Sequence, residues 1–231
     1  MNKNTLTTGK GWLVLDKLVP EAIIDLFNDK LGTLYPIRAL SQNKQYAEKQ
    51  EIANLPDIAI WWSKLVDDLP EFKSIRQLID PVVESALANV KHYASDVVTL
   101  NPGSTVINPH VDTPNRFKKW SMAQSMLGVQ MIVALCDITP ENGSTGVCSY
   151  SQLQDFDIES CYAGKHDKWF AENNIQPILT KGSVLMYNTK LLHSSMPNIT
   201  TQPRHALLLN YIDADIIDEL KLIDNIWSSN G

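Results

Sequence analysis

The sequence predicts a mainly β protein, a sandwich or barrel core with helices packed outside it. From about Val97 onward, short β-prone runs such as "VVTLNPGS", "GVQMIVALCDITPENGS", "QPILTKGSVLMYN", "LLHSSMPN" and "RHALLLNYI" alternate with Pro, Gly and Asn punctuation. Most have no helix between them, which argues against alternating β–α units. The first third instead repeats its apolar residues at helical spacing. At 231 residues, with 44% hydrophobic and 20% charged, the chain has the size and balance of one globular domain with a sizeable core.

Taken in order, "GWLVLDKLV" is a short apolar run that reads as an edge strand. Pro20 then opens "PEAIIDLFNDKL", where Ile23, Ile24, Leu26, Phe27 and Leu31 share a helical face and Glu21 suits the positive end of the helix dipole. Residues 35–55 are polar and patternless, a loop with a short helix. A second helical block follows through Ile75, Leu78, Ile79, Val82, Val83, Ala86, Leu87 and Val90. Pro81 lies inside it, so the block is either kinked or two helices, the second begun by the proline. Residues 1–95 are thus expected to be mainly helical and 96–213 to form the β core. An insertion at 151–174, rich in Asp, Lys and aromatics, carries a helical piece around "KHDKWFAENN". In the tail, 214–231, Ile216, Leu220, Ile223 and Trp227 give one apolar face, a closing helix packed on the core. No composition break marks a linker, so residues 1–231 are expected to be a single domain.

A formal charge of −6 argues against a general nucleic-acid binder, which would carry a basic face. No apolar run approaches the roughly 20 residues of a membrane-spanning helix, and "MNKNTLTTGKGW" lacks the apolar stretch of a secretory signal. Cys136, Cys148 and Cys161 form no CxxC pair and are odd in number. They are expected to be reduced thiols in a cytoplasmic protein, monomer or homodimer, with neither a nucleic acid nor a membrane as partner.

The chemistry starts at "NPHVDTP", residues 108–114. Residues i and i+2 of a strand project from one face, so His110 and Asp112 can point together into a barrel. One imidazole and one carboxylate are two thirds of the facial triad that holds non-haem Fe(II). The third ligand must be a histidine from elsewhere. His92 falls in the helical block, His166 in the insertion, and His205 has the opposite strand parity to Arg204. His193, ending an apolar strand in "YNTKLLHSS", is the best placed. Eleven residues later comes Arg204, on one strand face with Ala206, Leu208 and Asn210. An arginine aimed into a barrel is costly unless an anion meets it, and its forked donors suit a carboxylate.

His110-Val-Asp112, "ALCDITPENGS", "KGSVLMYNTKLLHSS", Asn198 and Arg204 together resemble the phytanoyl-CoA dioxygenase family of Fe(II)/2-oxoglutarate oxygenases, over roughly residues 97–212. The opening "GWLVLDKLVPEAIIDLFNDKL" is similar to that family's first strand and helix. The resemblance implies a double-stranded β-helix (jelly-roll, cupin-like) core packed against N-terminal helices. It also implies His110, Asp112 and His193 as iron ligands and Arg204 as partner of the distal carboxylate of 2-oxoglutarate. Ser195 matches a position that assists that carboxylate, and Gln130 a position for a polar co-substrate or substrate contact. The implied activity is hydroxylation of an unactivated C–H bond of a small molecule or peptide side chain, with Fe(II), 2-oxoglutarate and O2 giving succinate and CO2. Asp112 fills the coordination position a halide would need, which favours hydroxylation over halogenation.

Two departures stand out. After "ENG" the family usually continues into Pro-Gly-Ser-His, whereas this chain reads "STGVCSYSQLQ". Members often carry a lysine just before the Pro-Gly-Ser that leads to the His-X-Asp; here Leu100 and Asn101 precede it, leaving Asn101 as the substitute. The cluster "NRFKKW" (115–120) either guides an acidic substrate to the barrel mouth or is a solvated loop, and Trp61 and Trp62 either pack in the core or wall the entrance. Two alternatives remain: a jelly-roll binding protein that performs no oxidation, and a cupin-like metal enzyme that does not use 2-oxoglutarate.

Overall fold

The computed structural model describes residues 3–34, 59–63, 69–104, 108–156 and 158–229. Along the chain run α1 (Lys3–Thr7), β1 (Trp12–Leu15), α2 (Glu21–Leu34), β2 (Ala59–Ser63), α3 (Pro70–Ala86) and β3 (Val90–Leu100). There follow α4 (Lys118–Ser121), β4 (Gly128–Ala134), β5 (Thr145–Cys148), α5 (Ile158–Tyr162), α6 (Asp167–Asn173) and β6 (Asn174–Ile175). The chain closes with β7 (Val184–Asn188), β8 (His193–Ser195), β9 (Arg204–Asp213) and α7 (Ile217–Ser229).

The strands form a six-stranded sheet in the order β1-β7-β4-β9-β3-β2 and a three-stranded sheet in the order β6-β5-β8. Every pairing is antiparallel. Alternation sorts the larger sheet's side chains into two cores. Val129, Met131, Val133, Val184, Met186, Leu207 and Leu209 pack outward against Ile24 and Phe27 of α2 and Phe72, Ile75, Ile79 and Val83 of α3. Ile132, Ala134, Leu185, Tyr187 and Ala206 face inward and meet Val147 of the smaller sheet. With both faces covered, all seven residues of β4 are buried. The insertion helices α5 and α6 cover the far side of the smaller sheet, placing Cys161 and Phe170 over Cys148 and Leu192. Each large side chain so buried contributes about 1.5–3 kcal/mol, so truncating Phe27 or Ile79 to alanine is expected to cost several kcal/mol.

The expected edge strand at "GWLVLDKLV" is β1, paired only with β7 at one margin of the larger sheet. Pro81 neither ends nor splits α3. It sits on the exposed side, while Phe72, Ile75, Ile79, Val83 and Ala86 keep one buried stripe running past it. Packing along that stripe outweighs the ~3 kcal/mol an interior proline costs. The helical pattern does not reach Val90 as expected. Leu87 is already extended, at φ −134° and ψ 106°, and β3 starts at Val90, which places His92 on a strand. The loop expected at 35–55 lies outside the described residues, and so do the side chains of Trp61 and Trp62, although the β2 backbone pairs them with Val98 and Val97.

Candidate metal centre

His110 and His193 face one another across an antiparallel bridge. The His110 N–H donates to the His193 carbonyl at 2.9 Å and the His193 N–H returns to the His110 carbonyl at 3.0 Å. Residues that exchange both bonds project side by side, and the two imidazole centroids lie 4.4 Å apart. Asp112, two residues on, is anchored by its own N–H donating to the Thr189 carbonyl at 2.8 Å. Its Oδ1 lies 3.8 Å from His110 Nε2 and its Oδ2 3.4 Å from His193 Nε2. One ligand atom from each of the three lies within 4.8 Å of the others. Three residues spread over more than eighty positions of sequence thus meet because of one ladder rung and one strand alternation.

The rings are also set in a single tautomer. Nδ1 of His110 bonds the Asn108 carbonyl at 2.8 Å, and Nδ1 of His193 bonds the Leu191 carbonyl at 3.0 Å. A carbonyl only accepts, so each Nδ1 carries the hydrogen and each Nε2 keeps its lone pair for the centre. Burial, reinforced by the neighbouring His193, pulls the His110 pKa down to about 4, which holds that ring neutral. Two imidazole nitrogens and one carboxylate oxygen fit a divalent transition ion. The side chains of His110 and Asp112 stay 26% and 22% exposed, so the centre opens on one side for further ligands.

Tyr187 joins this set, and sequence reasoning missed it. Its hydroxyl donates to Asp112 Oδ2 at 3.0 Å and its ring lies 4.7 Å from that of His193. Burial, then the adjacent Asp112 carboxylate, raises its pKa well above the ordinary tyrosine value, so it stays a donor. Donation to Oδ2 leaves Oδ1 as the freer oxygen.

Arg204 is inside, as its strand parity predicts, and only 2% exposed. Nη2 donates to the Gly143 carbonyl at 2.6 Å, while Nε is buried with no hydrogen-bond partner. Desolvation pulls its pKa down to about 10. A buried guanidinium with an unsatisfied donor fits a carboxylate co-substrate. Gly143 is suited to its position: its φ is +91°, and a Cβ would approach the Met196 carbonyl to 2.8 Å and Leu100 Cδ1 to 2.9 Å.

Gln130 is buried on the inner face and accepts a bond from Asn210 Nδ2 at 2.7 Å. Ser195 lies two residues past His193 on β8, opposite Thr145, whereas the bond that Arg204 is seen to make runs to Gly143. Leu100 takes the position opposite Arg204, and Asn101 stands in the turn beyond, its carbonyl accepting the Ser104 N–H at 3.1 Å. In "NRFKKW", Lys119 pairs with Glu219 of α7 and Trp120 is buried with Ile212 and Leu220, so this segment is partly a packing element. His205 has the outward parity read from the sequence and bonds Thr99 Oγ1 at 2.8 Å. All three cysteines are free. No helix among the described residues is long and apolar enough to cross a membrane.

The model of the family described as Phytanoyl-CoA dioxygenase (PhyH) matches residues 8–206. Among solved structures the chain is similar to HygX from Streptomyces hygroscopicus, crystallised with nickel and 2-oxoglutarate bound. That match has a TM-score of 0.68 and 15% identity, covering 92% of this chain and 86% of that one. The non-heme alpha ketoglutarate dependent carbocyclase SnoK from nogalamycin biosynthesis matches at 0.65 and 15% identity, covering 93% and 85%. The epimerase SnoN from the same biosynthesis matches at 0.64 and 14% identity, covering 89% and 79%. At such identities the likeness establishes the fold, the jelly roll expected from the sequence. Comparison with curated proteins gave no match.

Proposed function

The chain belongs to the phytanoyl-CoA dioxygenase (PhyH) family, and from that premise we propose that it is an Fe(II)/2-oxoglutarate-dependent oxygenase hydroxylating a C–H bond of a small molecule. His110, Asp112 and His193 hold the iron, and Arg204 takes the distal carboxylate of 2-oxoglutarate, with Ser195 assisting it and Gln130 as a polar contact for the substrate. The observation that carries this reading is the convergence of the three ligand atoms within 4.8 Å on the face that also buries a guanidinium with a spare donor.

Bound there, the iron with O2 supplies the oxidation that converts 2-oxoglutarate to succinate and CO2 and places one oxygen atom in the substrate C–H bond. The protein's own part is positional. The backbone rung fixes the spacing of the imidazoles, the Asn108 and Leu191 carbonyls fix their tautomers, and Tyr187 holds one oxygen of Asp112. Arg204 supplies the charge that a dianionic co-substrate needs in an apolar wall. HygX has been crystallised with nickel, 2-oxoglutarate and hygromycin B bound, which supports a small molecule as the substrate class. The printed descriptions of SnoN and SnoK, an epimerase and a carbocyclase, name other outcomes on this fold, so product analysis decides between hydroxylation and those.

The test is anaerobic addition of Fe(II) and 2-oxoglutarate to the purified protein, followed by O2. A visible charge-transfer band and then succinate are expected from the wild type and neither from His110→Ala or Asp112→Ala. A wild type that gives no band and no succinate removes the proposal.

A further inference from the structure

Register places three polar side chains in one row across the inner face of the larger sheet. Tyr187 of β7 lies opposite Gln130 of β4, and Gln130 lies opposite Asn210 of β9. Directly paired residues share a face, so Asn210 looks into the same chamber as Tyr187, whose hydroxyl touches Asp112. At about 4.8 Å between strands, Asn210 stands on the order of 10 Å from Tyr187 along that row, within the reach of one small molecule seated at the metal centre.

The Asn210 side chain is unsatisfied. Nδ2 donates to Gln130 Oε1 at 2.7 Å, but Oδ1 is buried without a hydrogen-bond partner, and the residue is 9% exposed. The demand for a donor belongs to the orientation in which Asn210 Nδ2 donates and Gln130 Oε1 accepts; reversing both amides would keep that bond but put Asn210 Nδ2 in the orphaned place. An unsatisfied acceptor costs about 1–3 kcal/mol, and such groups persist where a ligand completes them.

That ligand is not the co-substrate. Ionised 2-oxoglutarate has two carboxylates and a keto oxygen, hence acceptors only, and cannot donate to Asn210 Oδ1. Its proposed clamp is also distant: Arg204 precedes Asn210 by six residues of β9, about 20 Å at ~3.4 Å per residue.

Resting on the oxygenase reading above, we propose that Asn210, backed by Gln130, is a specificity-determining residue. It selects a primary substrate that presents a hydroxyl, amine or amide N–H donor to this wall, in preference to an acyl or hydrocarbon substrate without one.

The experiment uses the full-length protein loaded anaerobically with Fe(II) and 2-oxoglutarate. The charge-transfer band is read first, before any probe, because its absence in the wild type is a failure of the oxygenase reading and not of this inference. Matched probes are then added: inositol and its hexa-O-methyl ether, N-acetylserine methylamide and its fully N- and O-methylated counterpart, and N-acetylglucosamine and its fully N- and O-methylated counterpart. Each is scored by its perturbation of the band and by succinate release on admitting O2. The wild type is expected to favour the donor-bearing member of at least one pair by about tenfold or more. Asn210→Leu is expected to abolish that preference, with 2-oxoglutarate affinity within about twofold of wild type and the thermal midpoint unchanged or raised. Asn210→Asp, which keeps an acceptor, is expected to retain the preference. A wild-type panel with no donor preference overturns the proposal, as does a tenfold loss of 2-oxoglutarate affinity in Asn210→Leu, which would assign the residue to the co-substrate. Failure of both Asn210→Leu and Asn210→Ala to fold would assign it a structural role and overturn the proposal equally.

Discussion

Replacing Arg204 with methionine separates a ligand-holding arginine from a structural one. The wild-type side chain is 2% exposed and makes its bond to the Gly143 carbonyl at 2.6 Å. Desolvation that pulls its pKa down to about 10 corresponds to a cost near 3 kcal/mol for keeping the charge buried, at 1.36 kcal/mol per tenfold. One hydrogen bond from a charged donor returns about 1.5–3 kcal/mol. The two nearly cancel, and methionine removes both while filling most of the volume. The ligand-free thermal midpoint is therefore expected to move by no more than a few degrees, at ~2–4 °C per kcal/mol for a chain of this size. The co-substrate behaves differently. Losing one partner of a buried carboxylate–guanidinium pair costs about 3–5 kcal/mol, or roughly 10²–10⁴-fold in the dissociation constant. The assay is a thermal melt with and without saturating metal and 2-oxoglutarate, combined with titration of the charge-transfer band. Wild type is expected to gain stability from the ligand and Arg204→Met to gain almost none. A midpoint that collapses by more than about 10 °C without ligand, or an unchanged 2-oxoglutarate affinity, refutes the reasoning.

Tyr187→Phe removes the donor to Asp112 and is expected to weaken metal binding about tenfold with little change in fold, read by competition with a metallochromic chelator; unchanged affinity would remove Tyr187 from the centre. Gly143→Ala must strain a backbone at φ +91° and displace the Met196 carbonyl. A loss of about 2–4 kcal/mol in denaturant melts, with weaker 2-oxoglutarate binding, is expected, and a neutral result would show that the Arg204 acceptor needs no glycine. The His110 pKa, lowered to about 4, makes the metal-free protein acid-sensitive. Below about pH 6.5 the unfolded chain takes up a proton that the folded ring refuses, so stability falls as pH drops from there towards 4. Partial solvent access limits the loss to about 2 kcal/mol, and the slope is expected to flatten in His110→Ala. A chelator should strip the metal with loss of succinate release but no loss of the cooperative melt, restored by adding Fe(II).

The parts of the centre that were legible in the sequence are those that strand alternation exposes along one segment. His110 and Asp112 stand two apart, His193 ends an apolar run, and Arg204 shares parity with Ala206 and Asn210. Tyr187 and Asn210 were not legible as site residues, because their relation to Asp112 and Gln130 depends on register between strands, and a single sequence does not carry register. The Gly143 carbonyl is backbone, invisible to any reading by residue type, although a glycine in "PENGS" did mark a turn. Pro81 left the block open between one kinked helix and two, because the buried stripe that keeps α3 a single helix past the proline depends on tertiary packing. Leu100 pairs with Arg204 at the end of β3 and Asn101 follows it in the turn, a placement set by where the strand ends, which a single sequence does not carry.

The reciprocal amide bonds between His110 and His193 separate two jobs within the centre. The spacing of the two ligand positions is set by main-chain donors and acceptors that take no part in the ligand set. Exchange of either imidazole for another side chain would therefore remove a ligand and leave the two positions at the same spacing.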